Sequence, residues 1–147
     1  MIKPYLRGQD IKRWYPNWQN LWMILTSTDI DINNYPSVRE HLEKYKKRLE
    51  SRSGKQLWWQ LQAKPSYHNL LEEPKIIWQD LTWSSKFCFD TNGLAINDLC
   101  FTLISSDSWL LAVLNSPLIW SWLWRNTVHG KDEATIYHIS NQNGILL

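Results

Sequence analysis

The sequence of 147 residues predicts an α+β fold: a small mixed sheet in the middle, a basic helix near 36–52 and a C-terminal helix pair near 107–125. Three observations predict it. Short apolar runs at Lys75 to Trp78, Phe87 to Phe89 and Leu99 to Ile104 are too brief for helices, and Asp90-Thr91-Asn92-Gly93 puts turn chemistry between the later two. Val38, Leu42, Tyr45 and Leu49 recur at helical spacing behind Pro36. Two helix starts stand close together near the end, Ser106 or Asp107 before Trp109 and Ser116-Pro117 before Leu118.

Taken in order, Lys3 to Tyr15 mixes basic and aromatic residues around Gly8 and predicts a loop or irregular edge. Leu21 to Leu25 is a short apolar run and predicts a strand, followed by a polar connector from Asp29 to Asn34. The helix from Pro36 carries Arg39, Lys44, Lys46, Lys47, Arg48 and Arg52 on its other face and ends at Ser53-Gly54. Leu57 to Leu61 fits helix or strand, and Lys64-Pro65-Ser66 breaks it. The three strand candidates follow. The helix pair runs from Trp109 to about Asn115 and from Leu118 to Arg125, and Lys131 to Leu147 is weakly patterned.

Length and composition bound the rest. One domain spanning 1–147 is the natural count for this length, enough to bury a core without disulfides. Cys88 and Cys100 lie in separate apolar runs and predict core thiols of a reduced protein. The N-terminus lacks the apolar stretch of a signal peptide, and Trp109 to Trp124 is too short to span a bilayer, so a cytoplasmic protein with no membrane partner is expected. The net charge of +2 conceals an asymmetry: residues 1–75 hold 13 basic and 8 acidic side chains, whereas residues 76–147 hold 3 and 6. A polyanion would approach the basic half.

Catalytic chemistry has no foothold in the motifs. There is no glycine-rich phosphate loop, no GxSxG elbow and no HExxH pair. His41, His68, His129 and His138 are scattered, and no metal site is expected. A binding surface remains. Tyr5, Arg7, Lys12, Arg13, Trp14 and Trp18 interleave cations with rings, the composition of a nucleic-acid contact loop and equally of a cation–π cluster sealing one end of a core. The eleven tryptophans also fit a carbohydrate-binding module with stacking platforms at Trp58-Trp59, or a remnant that only packs against a partner. Trp22, Trp78, Trp109, Trp120, Trp122 and Trp124 fall in apolar runs and are expected in the core or against a partner.

Five pieces in order resemble one family. Lys3-Pro4-Tyr5-Leu6-Arg7-Gly8-Gln9-Asp10-Ile11-Lys12-Arg13-Trp14 is similar to the opening signature of the TaqI-like C-terminal specificity domain. Tyr35-Pro36-Ser37-Val38 leading to His41 through Lys46 and Leu49-Glu50-Ser51-Arg52 follows, then Gly54-Lys55 before Trp58-Trp59-Gln60-Leu61. Glu73-Pro74-Lys75-Ile76-Ile77-Trp78-Gln79-Asp80 and Leu110 through Ser116 complete the set. The resemblance implies a target-recognition module of N6-adenine DNA methyltransferases and type IIG restriction–modification enzymes, which does no covalent chemistry itself. Double-stranded DNA and an adenine methyltransferase domain or subunit are the implied partners. S-adenosylmethionine is implied for that methyltransferase, whose Asn-Pro-Pro-aromatic motif is absent from this sequence. The chain is therefore expected to be a fragment or separate module of a larger enzyme. Arg7, Lys12, Arg13 and Lys75 are the expected DNA contacts, with Gln9 and Trp14 beside them. Gln9 stands where relatives often place a basic residue, and an amide can hydrogen-bond adenine.

Overall fold

The structure is a computed structural model and describes residues 2–27, 30–61, 70–129 and 135–136. The chain divides into two compact units. The first comprises Met1–Lys3 and Trp22–Asn69, the second Pro4–Leu21 and Leu70–Leu147.

In the first unit, β2 (Trp22–Ile24) is followed by a 3-10 turn at Ile32–Asn34, whose Asp31 side chain caps the Asn33 amide. The single helix expected over 36–52 is two helices, α1 (Pro36–Glu43) and α2 (Lys46–Glu50). Tyr45 departs from helical dihedrals at φ −109°, ψ 5°, and the ladder is interrupted there. Val38, Leu42 and Leu49 are half-buried as their spacing requires, but Tyr45 is exposed. Leu57 to Leu61 is neither helix nor strand. It is a turn held by Arg52, whose guanidinium donates to the Trp58 and Gln60 carbonyls at 2.9 Å each. The Gln60 side chain closes the turn by accepting from the Leu57 amide at 3.0 Å. The Lys64-Pro65-Ser66 break lies outside the described residues.

The second unit is built on an antiparallel sheet of order β5-β3-β7, with β3 (Lys75–Gln79) between β5 (Phe87–Asp90) and β7 (Cys100–Ile104). All three sequence-derived strands are present, each shifted by one residue at most. Register pairs Ile76 with Phe89 and Leu103, and Ile77 with Cys88 and Thr102. Strand alternation therefore sends Ile76 and Ile77 to opposite faces, and both are fully buried. One face receives α3 (Ser108–Leu114) and α4 (Pro117–Asn126), whose Leu111 and Leu123 meet Ile76 and Phe87 in a core flanked by Trp78 and Trp120. Both helix starts are as the sequence indicates. Asp107 accepts from the Trp109 and Leu110 amides, and the Ser116 hydroxyl accepts from the Ile119 amide with Pro117 in the first turn.

Two polar anchors fix the helix pair to the sheet. Buried Asn115 accepts from the Phe87 amide at 3.0 Å and donates to the Phe87 carbonyl at 2.9 Å, and Ser85 donates to the Leu114 carbonyl at 2.6 Å. Lys3 to Leu6, expected as loop or irregular edge, belongs to strand β1 (Ile2–Leu6). Its Tyr5 and Leu6 pair in parallel with Ala95 and Ile96 of β6 (Ala95–Ile96), a two-residue strand that no sequence period reveals. A last antiparallel group joins β4 (Leu81–Thr82) and β8 (Val128–His129) on either side of β9 (Thr135–Ile136).

The cysteines are free and buried. Burial, reinforced by the Asp90 carboxylate, pushes the Cys88 thiol up to about 12, and burial with Asp98 nearby does the same for Cys100. Both folded values lie above the unfolded one of about 8.5. Their contribution to stability is thus complete below about pH 8.5 and is lost as pH rises toward 12. Urea midpoints should fall through this window, and the native protein should resist alkylation at pH 8 until denaturant is added. Rapid alkylation of folded protein at pH 8 would contradict the buried placement.

Candidate nucleic-acid interface

Five of the six sequence-derived site residues lie on one stretch of the second unit, Arg7 to Trp14. It leaves β1 through Arg7 in extended conformation, makes a 3-10 turn at Gly8–Asp10 and reverses at Ile11 to Pro16, which pair as an isolated antiparallel bridge. Gly8 allows a close approach. A Cβ there would sit 3.1 Å from Gln79 Cγ, which packs against the turn. The turn is closed by the Asp10 amide donating to Arg7 and the Lys12 amide donating to Tyr15.

The loop is stapled to the sheet. The Trp14 amide donates to the Phe87 carbonyl at 2.9 Å and the Phe89 amide donates back to Trp14 at 3.3 Å, forming a parallel bridge beside Cys88. Arg13 Nε donates to the Ser85 carbonyl at 3.2 Å, which leaves its terminal amino groups directed away from this bond on an exposed side chain. Trp14 adopts φ 84°, in the left-handed region that side chains other than glycine avoid. Its backbone is held there by two strand-like bonds while the residue is 48% exposed. Trp14 is thus a strained residue kept in place by its surroundings, with its large side chain half open to solvent.

Arg7 is oriented by Asp10. Its Nε and Nη2 donate to the two carboxylate oxygens at 2.6 and 3.1 Å. This hydrogen bonding raises the guanidinium above its ordinary value, so the charge is permanent. Sequence reasoning passed over Asp10 as an orienting partner, although the i,i+3 spacing to Arg7 was available. Lys12 Nζ donates to the Gln9 carbonyl at 3.3 Å, and the Gln9 side chain is exposed. Nearby, Trp18 is half-buried and donates to the Leu21 carbonyl, which makes it a support for the loop.

Lys75 does not join them. It is the first residue of β3, 1% exposed, and its ammonium lies 2.6 Å from Asp90 Oδ2, directly across the register in β5. The same Nζ donates to the Leu71 carbonyl. A lysine with its charge inside the fold cannot reach a phosphate, so the expectation of a DNA contact at Lys75 is replaced by a structural ion pair. The tryptophans expected in the core or against a partner also divide. Trp78 and Trp120 pack against it, whereas Trp22, Trp109 and Trp122 are exposed.

Among the described residues no three His, Cys, Asp or Glu side chains come together to hold a metal ion, and no helix is long and apolar enough to cross a membrane. The loop therefore offers cations, amide groups and one stacking ring. Such a set can neutralise phosphates and read or stack on bases. The chain matches the family model described as the TaqI-like C-terminal specificity domain over residues 3–143.

Proposed function

We propose that this chain, which belongs to the family of TaqI-like C-terminal specificity domains, binds double-stranded DNA as the target-recognition module of a restriction–modification adenine methyltransferase. The match across 3–143 carries the reading. The Arg7–Trp14 loop gives it a physical form: Arg7, Lys12 and Arg13 neutralise phosphates or reach base edges, Gln9 presents an amide suited to adenine, and Trp14 stacks. The module performs no covalent step. Its role is to hold the duplex while the methyltransferase partner, which carries S-adenosylmethionine and transfers its methyl group, acts on a base taken out of the stack. Contacts to the rest of the duplex offset the few kcal/mol that unstacking costs.

A protein partner has support on the outer side of the helix pair. Leu118 and Trp122 stand one helical turn apart on α4, 77% and 51% exposed, with Trp109 on α3 at 70%. Large apolar side chains gathered on one supersecondary unit favour a docking surface for the methyltransferase. A cytoplasmic location follows from this reading.

A salt titration tests the proposal. Binding to a random-sequence duplex pool should weaken linearly in log–log form as salt rises, with a slope of about −0.9 for each phosphate neutralised. Absence of binding at low salt, both alone and joined to a methyltransferase domain of the same family, would remove the DNA reading.

A further inference from the structure

The basic residues outside the Arg7–Trp14 loop concentrate in the first unit, whose sequence holds nine basic and five acidic residues for a net +4, against −2 for the second unit. Within it, the interruption between α1 and α2 gathers Lys44, Lys46, Lys47 and Arg48, all exposed. Two cations of this region are already engaged. Arg39 is held by Glu43 at 3.0 Å and Asn33 at 2.7 Å, and Lys46 lies 3.8 Å from Glu50 and over the Trp58 ring. Lys44, Lys47 and Arg48 are different: among the described residues no carboxylate pairs with them.

Their arrangement follows from the local fold. Although Tyr45 departs from helical dihedrals, the Leu49 amide still donates to the Tyr45 carbonyl at 3.0 Å, so the chain keeps a helical course through the interruption. Positions i, i+3 and i+4 on such a course share one side, which places Lys44, Lys47 and Arg48 together. Leu42 and Leu49 are half-buried and turn the opposite side inward. An open surface depression is lined by Glu43, Lys44, Tyr45, Lys46, Lys47 and Arg48. Three like charges on one side repel one another, and although Glu40 and Glu43 lie on the same helical course, neither pairs directly with Lys44, Lys47 or Arg48 among the described residues. A regularly spaced external polyanion compensates such charges.

We infer that Lys44, Lys47 and Arg48 form a second DNA contact surface, one that neutralises backbone phosphates without reading sequence. The inference rests on the DNA-recognition reading above and assigns to the first unit a share of affinity, leaving base discrimination to the Arg7–Trp14 loop. Point-charge lysines with one arginine suit phosphate attraction, whereas base readout depends on planar groups held in fixed geometry.

The test is the triple variant Lys44→Gln, Lys47→Gln, Arg48→Gln in the full chain, measured by fluorescence anisotropy on a random-sequence duplex and on a selected preferred duplex across a salt series. The slope of log affinity against log salt should fall by about 2–3, near 0.9 per contact removed. The ratio of affinities for preferred and random duplex should not change. A slope equal to that of the unsubstituted protein overturns the inference and leaves the DNA reading standing. A changed ratio at constant slope overturns it too, by giving these residues a readout role. If the unsubstituted protein binds neither duplex at low salt, both alone and joined to a methyltransferase domain of the same family, the reading itself fails and the inference with it. Circular dichroism identical to the unsubstituted protein is the expected control, since all three side chains are exposed.

Discussion

Replacing Lys75 by methionine should cost the fold about 3–5 kcal/mol, the magnitude for removing one partner of a buried ion pair. The environment explains why. Lys75 and Asp90 are 1% and 0% exposed and meet at 2.6 Å across adjacent strands. The lysine also donates to the Leu71 carbonyl, and Asp90 accepts from the Asn92 amide at 2.8 Å and the Leu94 amide at 2.9 Å. Asp90 thus holds both the strand edge and the turn leading to β6. Methionine fills the lysine's volume but leaves that carboxylate facing a buried space without its counter-charge, where desolvation is not repaid.

The double variant Lys75→Met, Asp90→Asn removes both charges, and the single Asn oxygen keeps one of the two turn bonds that the Asp90 carboxylate accepts. Its cost should fall short of the summed single costs by about 0.5–3 kcal/mol, the range of coupling between contacting residues. Urea unfolding of the four proteins of the cycle measures this. The same variants separate the structural role from the one the sequence suggests. A phosphate contact at Lys75 would lower the salt slope of DNA binding by about 0.9 and leave stability unchanged. The buried pair predicts the reverse: a large loss of stability, with an unchanged slope for whatever fraction remains folded.

This contrast shows where sequence reasoning reaches its limit. The helix starts at Asp107 and Ser116-Pro117 are local chemistry, and a cap needs only the next three residues to be recognised. The central strands are equally local, since their apolar runs and the Asp90–Gly93 turn are contiguous. Lys75 is another matter. Its position ahead of Ile76-Ile77 is visible, but its burial depends on register with Asp90, fifteen positions away, and on Leu71 offering a carbonyl. β6 has only two residues and exists because Tyr5 and Leu6 lie beside it. The interruption at Tyr45 is likewise illegible, because helical spacing of Val38, Leu42 and Leu49 continues through it.

For the candidate interface, cation and ring composition located the Arg7–Trp14 loop, and the family pattern gave it a role. Composition could not choose between a contact loop and a cation–π seal. The structure bears on that choice through Arg13 and Trp14. Arg13 is tied to the Ser85 carbonyl through Nε, and no cation–π contact joins it to a ring among the described residues. The loop is supported from below by backbone bonds and by buried Asp10 and Ile11, while Gln9, Arg13 and Trp14 are exposed.

Trp14 carries the second large expectation. Substitution by glycine or alanine removes the ring in both cases, yet the two should differ in stability in an unusual direction. Alanine normally exceeds glycine by about 0.5–1 kcal/mol within regular structure. At φ 84° the order inverts, because alanine keeps the left-handed strain that glycine does not feel, so Trp14→Gly should be the more stable variant by about 1 kcal/mol. Affinity for DNA should ignore this difference. On a duplex carrying one unpaired base, loss of a ring that stacks on it costs about 1–3 kcal/mol, so both variants should bind that duplex roughly 5- to 150-fold more weakly. Because the indole is neutral, the salt slope should stay constant, whereas Arg13→Gln should lower it by about 1. Trp14→Phe retains a ring and should recover most of the affinity. Binding that tracks stability across the Gly, Ala and Phe variants would return the indole to a packing role, whereas binding that tracks the presence of a ring identifies the strained position as the place where the module stacks on DNA.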